Sequence, residues 1–555
     1  MAAKEEGIAR GYWKEKMEES VFALFSPFFV SVAAGNLDPS TFRHCISMDL
    51  HFLQAFVQAY EMAEDCADDN EEKKLIRHLR ECAHKKLHAY DAVVQKWGFE
   101  IPKSEGVPVP DSMTAKYKEF LLRIASGIVE GEQVPCKTAT PFEKTKVAAY
   151  TLAAIAPFMR LKSYLCLVTH MILTYLHPNN TSDHIYKKWL QYYSSDQEIQ
   201  ELAKKTEDVL DTLSAPLTGE ELRLTAKLYD QAVKLQVEYF ASLPISQQQR
   251  TVVPLARVQD LNNGQLTIFS DFDLTCSVVD CAAMLARLAT VITPCWTLAD
   301  LKKELDAISK QYVDGYEQCV ESVTIGVPGE VFDYDGLCKA LEKVAEFEKQ
   351  ANARVEESGV FKGLTLHGIK HAGQSILLHN GCREFFQKIK NEHPGIDAHV
   401  ISYSWCGELI RSAFSSDLKA SNIHSNELAF TEESVTTGEI IKKVETPFEK
   451  HQAFMKILQG RESSGNSDHG NKHLKVYIGG AVGDLLCLVE ADIGIVFGSS
   501  SASLKKLGTH FGVSFVPLLR GVVNNQMELV DWKPKSGILY AVETWAEIQA
   551  FILGL

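Results

Sequence analysis

Two carboxylates, Asp271 and Asp273, stand two residues apart in FSDFDLT, directly after the apolar run QLTIFS (265–270). Acids at the carboxyl end of a parallel strand lie where α/β sheets bind ligands. There they can hold Mg²⁺, which takes hard oxygen ligands and offsets the charge of an incoming phosphate. Asp271 could then attack phosphorus to form an aspartyl-phosphate, while Asp273 protonates the leaving oxygen and later activates water. An acidic turn after a strand is the bland alternative. Three later residues favour the chemistry. Ser402 closes the run HVIS, where its hydroxyl can meet a phosphoryl oxygen. Lys450 falls in the first turns of a helix expected from Thr446, so its ammonium and the helix terminus can both face an anion. Asp484, in GGAVGD after VYIG, can complete a metal site.

A second group lies in the first 242 residues. A helix is expected from Pro39, with Asp38 as its cap and apolar residues at Phe42, Cys45, Ile46, Leu53, Phe56, Val57 and Tyr60. Asp49 falls within this stripe, and an acid on a core face is costly unless it is paired or bonded to a ligand. Glu238 sits three residues after Leu235, beside Tyr239 and Phe240, on a helix expected from Thr218 to about Leu243. A core His or Arg partner for Asp49, and a solvent-facing Glu238, are the structural alternatives. A di-metal bundle site is weighed from Glu81–His84, whose ExxH spacing suits it, but the sequence has no second ExxH. His84 and His88 therefore read as surface or packing residues.

These residues need elements to position them, and the two parts of the chain differ in pattern. Residues 1–242 read as successive helices, punctuated at HPNN (177–180), with no convincing strand alternation. Residues 243–264, with two prolines, a Gln run and Asn-Asn-Gly, read as a linker. From 265 to 555, short apolar runs at 265–270, 397–404, 474–480, 491–498, 513–518 and 537–542 alternate with helices, which predicts a doubly wound parallel sheet. The mostly helical stretch at about 277–395 is too long for a crossover and reads as an inserted cap. TPFEK recurs at 140–144 and 446–450 as helix-start chemistry, and 461–473 as a polar surface loop.

Composition narrows the function classes. The 555 residues are 46% hydrophobic and 23% charged, which suits a packed globular chain. Lys+Arg 57 against Asp+Glu 72 gives −15, which argues against a nucleic-acid partner. Thirteen scattered cysteines without CxxC suggest reduced thiols. No uninterrupted apolar run reaches the ~20 residues of a membrane span, and the N-terminus lacks a signal-peptide core. A cytoplasmic protein is expected, or a mitochondrial one if a presequence has been removed.

The ordered set Asp271-x-Asp273-x-Thr275, Ser402, Lys450 and the glycine-acid loop at 479–484 resembles the haloacid dehalogenase-like phosphatases, over residues 265–555. The resemblance implies Mg²⁺, Asp271 as nucleophile, Asp273 as acid/base, and Ser402 and Lys450 as phosphoryl binders. One position departs: the family usually has an acid directly after the glycine of its fourth motif, where this chain has Gly480 and only the later Asp484. Residues 10–242 resemble the TenA family, helical bundles that act on thiamine-derived aminopyrimidines, through PFFVSVAAGNLDPSTFRHCISMDLHFLQAF, KYKEFLLRIASGIVEG and TPFEKTKVAAYTLAAIAPFMRLKSYL. That likeness implies pyrimidine binding by Asp49 with an aromatic lining of Phe52, Tyr117 and Tyr150, and catalysis by Glu238. Phe158 follows Pro157 where the cysteine-using branch has its nucleophile, so the branch without that cysteine is implied, and neither Cys136 nor Cys166 gains a role.

The two halves in this order resemble the plant bifunctional thiamine-salvage proteins. This implies hydrolysis of thiamine monophosphate by one half and of aminopyrimidines (amino-HMP, or its N-formyl form) by the other, with a homo-oligomer formed through the helical half. The residues leave two alternatives open: a phosphatase for another small phosphate, and a non-catalytic binding or regulatory protein with two degenerate sites.

Overall fold

The computed structural model describes residues 7–67, 69–100, 109–129, 132–133, 141–176, 184–246, 249–258, 266–292, 297–462, 473–498, 501–528 and 532–555. HPNN at 177–180, Cys136, the Asn-Asn-Gly of the linker and all but the ends of the 461–473 loop lie outside them. The chain divides into two compact units. One comprises Met1–Pro254, Val522–Leu529 and Ala550–Leu555, and the other Leu255–Gly521 and Val530–Gln549.

The first unit is built of helices, as its periodicity requires. The Pro39–Cys66 helix starts where Asp38 accepts a hydrogen bond from Ser40 N at 3.2 Å and proline fixes the first turn. The Gly219–Ser242 helix opens with a complete capping box between Thr218 and Glu221. A two-residue hairpin, β1 (Ile128–Val129) with β2 (Glu132–Gln133), was not foreseen by the sequence pattern. The 36-residue helix Pro141–Leu176 carries Pro157 inside it. Its segment Thr145–Leu176 is long and apolar enough to cross a membrane, contrary to expectation, yet 72% of its apolar window is buried in the protein, as in a core helix.

The second unit holds a seven-stranded parallel sheet. In chain order its strands are β3 (Leu266–Ser270), β4 (Ile396–Ile401), β5 (Ile423–His424), β8 (Leu474–Gly479), β9 (Ile493–Phe497), β10 (Ser514–Pro517) and β11 (Ile538–Val542). Their order across the sheet is β10-β11-β9-β8-β3-β4-β5, with every pair parallel. Each of the six apolar runs contributes a strand, and β3 and β9 are buried throughout because helices cover both faces. A bulged antiparallel hairpin, β6 (Glu427–Phe430) with β7 (Thr436–Ile441), stands apart from the sheet. Between β3 and β4 run the helices Cys281–Ile292, Leu298–Val323, Tyr334–Ser358, Leu366–Gln374 and Cys382–Glu392. The cap is seated on the sheet by Val323, Leu337, Leu341 and Val344, which share a core with Tyr477, Val482 and Leu485.

Candidate functional sites

Neighbouring central strands aim the C-terminal group at one point. Asp271 follows β3, and its amide is tied to Ile478 O of β8 at 2.8 Å. Leu274 completes the turn at φ +59°, a conformation that side-chain-bearing residues seldom adopt. Ser402 follows β4, is fully buried, and directs its hydroxyl to Asp273 Oδ2 at 3.4 Å. The other oxygen of Asp273 accepts from Cys281 N at 2.7 Å. Lys450, on the first turns of the Pro447–Glu462 helix, places its ammonium 2.7 Å from Asp271 Oδ1 and 2.6 Å from Asp484 Oδ1. The structure thus brings together Asp271, Asp273, Ser402, Lys450 and Asp484.

Three carboxylates around one ammonium leave an excess of negative charge. Burial, followed by the Asp484 charge, pushes the Asp271 carboxyl up to about 7, and burial also raises Asp273. For Lys450, burial opposes the charge, but Asp271 and Asp484 outweigh it and its pKa is raised.

Asp484 requires a correction. Its Oδ1 accepts from Tyr477 at 3.0 Å as well as from Lys450, and its Oδ2 accepts from Gly480 N at 3.1 Å and Ala481 N at 2.9 Å. An acid with four donors already in place closes the 480–484 loop and pins Lys450; it is not arranged as a metal ligand. Among the described residues no three His, Cys, Asp or Glu side chains converge on a metal position. A Cβ on Gly480 would meet Phe497 O at 3.0 Å, so an acid there would need the neighbouring strand to give. Asp271 Oδ2, by contrast, takes one long bond among the described residues, from Thr275 at 3.4 Å. Mg²⁺ ordinarily uses one or two protein carboxylates plus waters and substrate phosphate, and Asp271 fits that requirement.

One side chain ties the loops of this cluster together. Asn426, 1% exposed, donates to Tyr403 O at 3.1 Å and Val444 O at 2.9 Å, and accepts from Lys443 N at 2.8 Å and Val444 N at 2.9 Å. It couples the segment after Ser402 to the turn that launches the Lys450 helix. Tyr403 lies between them, with the Lys450 ammonium 4.5 Å from its ring centre.

In the helical unit Asp49 is buried, and both its oxygens lie 2.6 Å from the Lys162 ammonium. Tyr90 and Tyr193 also donate to Asp49 Oδ2, at 2.8 and 3.3 Å. Lys162 is 1% exposed and sits 4.1 Å from the Tyr193 ring centre. The acid on the core face is therefore paired, as its placement demanded, but with a lysine and not the His or Arg expected. A cavity of about 40 Å³ beside Asp49 is lined by Tyr90, Phe158, Tyr192 and Tyr193 among others, space for a few waters. Phe52 packs on Tyr117 and Phe158 with ring centres 5.5 and 5.0 Å apart, so two of the three expected aromatics meet.

Of the other two expectations here, Glu238 is corrected. Tyr150 precedes Lys162 by twelve residues on one helix, about 18 Å along its axis, and its hydroxyl is raised to about 12 by burial and then by Glu221 and Glu220. Tyr150 is buried one turn before Ala154, whose carbonyl accepts from Tyr117 at 2.7 Å. Glu238 is 38% exposed and pairs with Lys116 at 2.8 Å. The residue on the interior face of that turn is Gln236, 2% exposed, beside the Tyr117 hydroxyl. A step of two residues turns a helix by about 200°, so Gln236 and Glu238 must point opposite ways.

No family model matches the chain. It is 48% identical, over 570 aligned positions, to the Bifunctional TH2 protein, mitochondrial, of Arabidopsis thaliana, covering 99% of this chain and 90% of the relative. The chain belongs to the bifunctional TH2 protein family. Cold tolerance protein 1 of Saccharomyces cerevisiae is 24% identical over 246 residues, 40% of this chain and 75% of that one. Solved structures that align include a substrate-bound phosphoserine phosphatase complex (19% identity, 44% of this chain, 90% of that chain, TM-score 0.29). A TenA homologue from Pyrococcus furiosus also aligns (15% identity, 42% of this chain, 97% of that chain, TM-score 0.32).

The Arabidopsis member of this family is named as a bifunctional protein. Four residues of this TH2 protein escaped the sequence reading. Lys162 lies in a run that gives no sign of a buried charge. Gln236 is visible only as a polar residue on an apolar stripe. Tyr403 adjoins Ser402, and its aromatic character was the available signal. Glu348 lies in the cap, where nothing in the pattern distinguishes it from surface acids.

Proposed function

We propose that the C-terminal half hydrolyses thiamine monophosphate to thiamine and phosphate with Mg²⁺, and that the N-terminal half acts on thiamine-derived aminopyrimidines, both in thiamine biosynthesis and salvage. The observation that carries the first part is the convergence of Asp271, Asp273, Ser402 and Lys450 at the ends of β3 and β4 and one helix start. Lys450 holds Asp271 Oδ1 beside the position its ammonium would share with a phosphoryl oxygen, which orients that oxygen for attack. Attack forms the Asp271–phosphorus bond and breaks the ester bond to the alcohol. Asp273, whose burial favours the protonated form, gives the leaving oxygen its proton, and then takes one from the water that hydrolyses the aspartyl-phosphate. Ser402 donates to the transferring group. Mg²⁺, held by Asp271, would neutralise phosphoryl charge when bound.

The second part rests on Asp49 with Phe52 and Tyr117, a buried acid beside an aromatic wall that suits a flat, amino-bearing ring. Such a ligand must compete with Lys162 for the carboxylate. Leu167, Met171 and Tyr175 recur at helical spacing and are 44, 63 and 61% exposed, which supports a homo-oligomer formed through the helical half. The Arabidopsis relative is named as mitochondrial, which supports a mitochondrial location. The test is phosphate release by the purified protein with and without Mg²⁺, across small phosphomonoesters including thiamine monophosphate, beside Asp271→Asn. Preference for thiamine monophosphate, lost in Asp271→Asn, is expected; release that survives the substitution would sink the reading.

A further inference from the structure

The cap presents an aromatic and acidic face that the phosphatase chemistry does not use. Tyr312 and Tyr316, one turn apart on the Leu298–Val323 helix, stack with ring centres 5.7 Å apart and planes 15° from parallel. Phe347, on the Tyr334–Ser358 helix, meets them at 5.5 and 6.0 Å. The two helices approach closely because Gly315 faces Phe347, where a Cβ would lie 2.8 Å from the ring. Beside this cluster stands Glu348, half-buried, accepting from the Tyr312 hydroxyl at 2.9 Å.

Four residues further along the same helix, Asn352 accepts from Trp405 Nε1 at 2.8 Å and donates to Glu445 at 3.3 Å. Residues four apart share a helix face, so the face bearing Glu348 is turned toward the segment that begins at Ser402. Tyr316 and Tyr403 pack against one core with Tyr477 and Val482, and the Lys450 ammonium lies 4.5 Å from the Tyr403 ring centre. The cap cluster is therefore adjacent to the phosphoryl site.

Charge decides what such a face suits. Glu348 has Glu445 as its charged neighbour, and among the described residues no Lys or Arg pairs with it. Burial, followed by Glu445, pushes its carboxyl up to about 7, and the Tyr312 bond opposes that rise. Lys450 can answer the phosphate's charge, but among the described residues no cationic side chain answers that of Glu348. Stacked aromatic faces with one unanswered carboxylate are the arrangement that binds a flat or quaternary cation.

We infer that Tyr312, Tyr316 and Glu348 form the subsite for the organic portion of the substrate, and that they select phosphomonoesters of cationic, heteroaromatic alcohols over neutral ones. This rests on the reading of the C-terminal half as a phosphatase. Glu348 supplies the counter-charge, Tyr312 and Tyr316 a ring face, and the Tyr312 hydroxyl holds the carboxylate in place.

The test compares KM and kcat for thiamine monophosphate, phosphocholine and p-nitrophenyl phosphate, with Mg²⁺, in wild-type protein, Glu348→Gln and Tyr312→Leu. Glu348→Gln is expected to raise KM for the cationic esters about tenfold while leaving KM for p-nitrophenyl phosphate and all kcat values within twofold. Tyr312 is 37% exposed, so Tyr312→Leu gives a variant able to fold, with the same selective loss at several-fold size. Equal losses on all three esters, or none in either variant, would overturn the subsite. Wild-type protein that ignores thiamine monophosphate but shows a Glu348-dependent preference for phosphocholine would overturn the proposed substrate and support the subsite.

Discussion

Asp484 holds the Lys450 ammonium at 2.6 Å with neither side chain exposed to solvent. The acid simultaneously gathers two backbone amides of its own loop, so the lysine's position and the loop's closure depend on one carboxylate. Asp484→Asn keeps the shape but turns a donor group toward those amides. We expect it to cost about 1.5–3 kcal/mol in urea unfolding and to lower kcat for phosphate release more than tenfold, with Mg²⁺ dependence retained. A tenfold or greater weakening of Mg²⁺ affinity at unchanged kcat would instead make Asp484 a metal ligand.

The Asp49–Lys162 pair yields a stability prediction. Breaking a buried ion pair by removing one member leaves the other uncompensated, at a cost of about 3–5 kcal/mol, whereas replacing both by apolar groups is often neutral. Lys162→Met should therefore be strongly destabilising, and Asp49→Leu with Lys162→Met should recover most of the loss. Chemical denaturation of the three proteins decides it; additive losses in the double variant would mean that the two side chains do not act as a pair.

On the exposed and buried faces of the Gly219–Ser242 helix the expected effects are opposite. Glu238→Gln, at a surface pair, should leave aminopyrimidine turnover within twofold. Gln236→Leu, on the interior face, should lower it at least tenfold by removing the polar group beside Tyr117. The reverse ranking would restore Glu238 to a catalytic role.

Acid should loosen the edge of the parallel sheet through a histidine pair. His399 Nδ1 and His424 Nε2 are 3.2 Å apart, and His424 is lowered to about 4 by burial and then by the neighbouring His399. The unfolded chain takes up this proton near pH 6.5 and the folded protein only near 4. Stability from this group is thus complete above about pH 6.5 and is lost as pH falls toward 4. The urea midpoint should decline across that window and decline less in His424→Phe. An unchanged slope would remove His424 as the cause.

Periodicity and motif order made much of this visible in the sequence. The strands that carry the acidic group are short buried runs bounded by turns, and Asp271, Ser402 and Lys450 each follow a recognisable strand end or helix start. The β6–β7 hairpin escaped notice because its exposed face carries little apolar alternation. Glu238 was misplaced because a two-residue error on a helix exchanges its faces. Asp484 was recognised as part of the site, but whether an acid meets a metal or a lysine depends on donors brought from elsewhere in the chain. Glu348 could not be found at all, since its meaning arises only where two cap helices and the β4 end meet.

The four bonds of Asn426 have a bearing on engineering. They use both donors and both acceptor positions of the carboxamide, and all end on the backbone of the two loops that flank the phosphoryl site. Residues 402–404, 426 and 443–450 thus form one braced frame beside Asp271 and Asp273, while positions 312, 316 and 348 form a separate panel for choosing the alcohol. A library confined to that panel would re-target the enzyme without touching the parts that must stay in register.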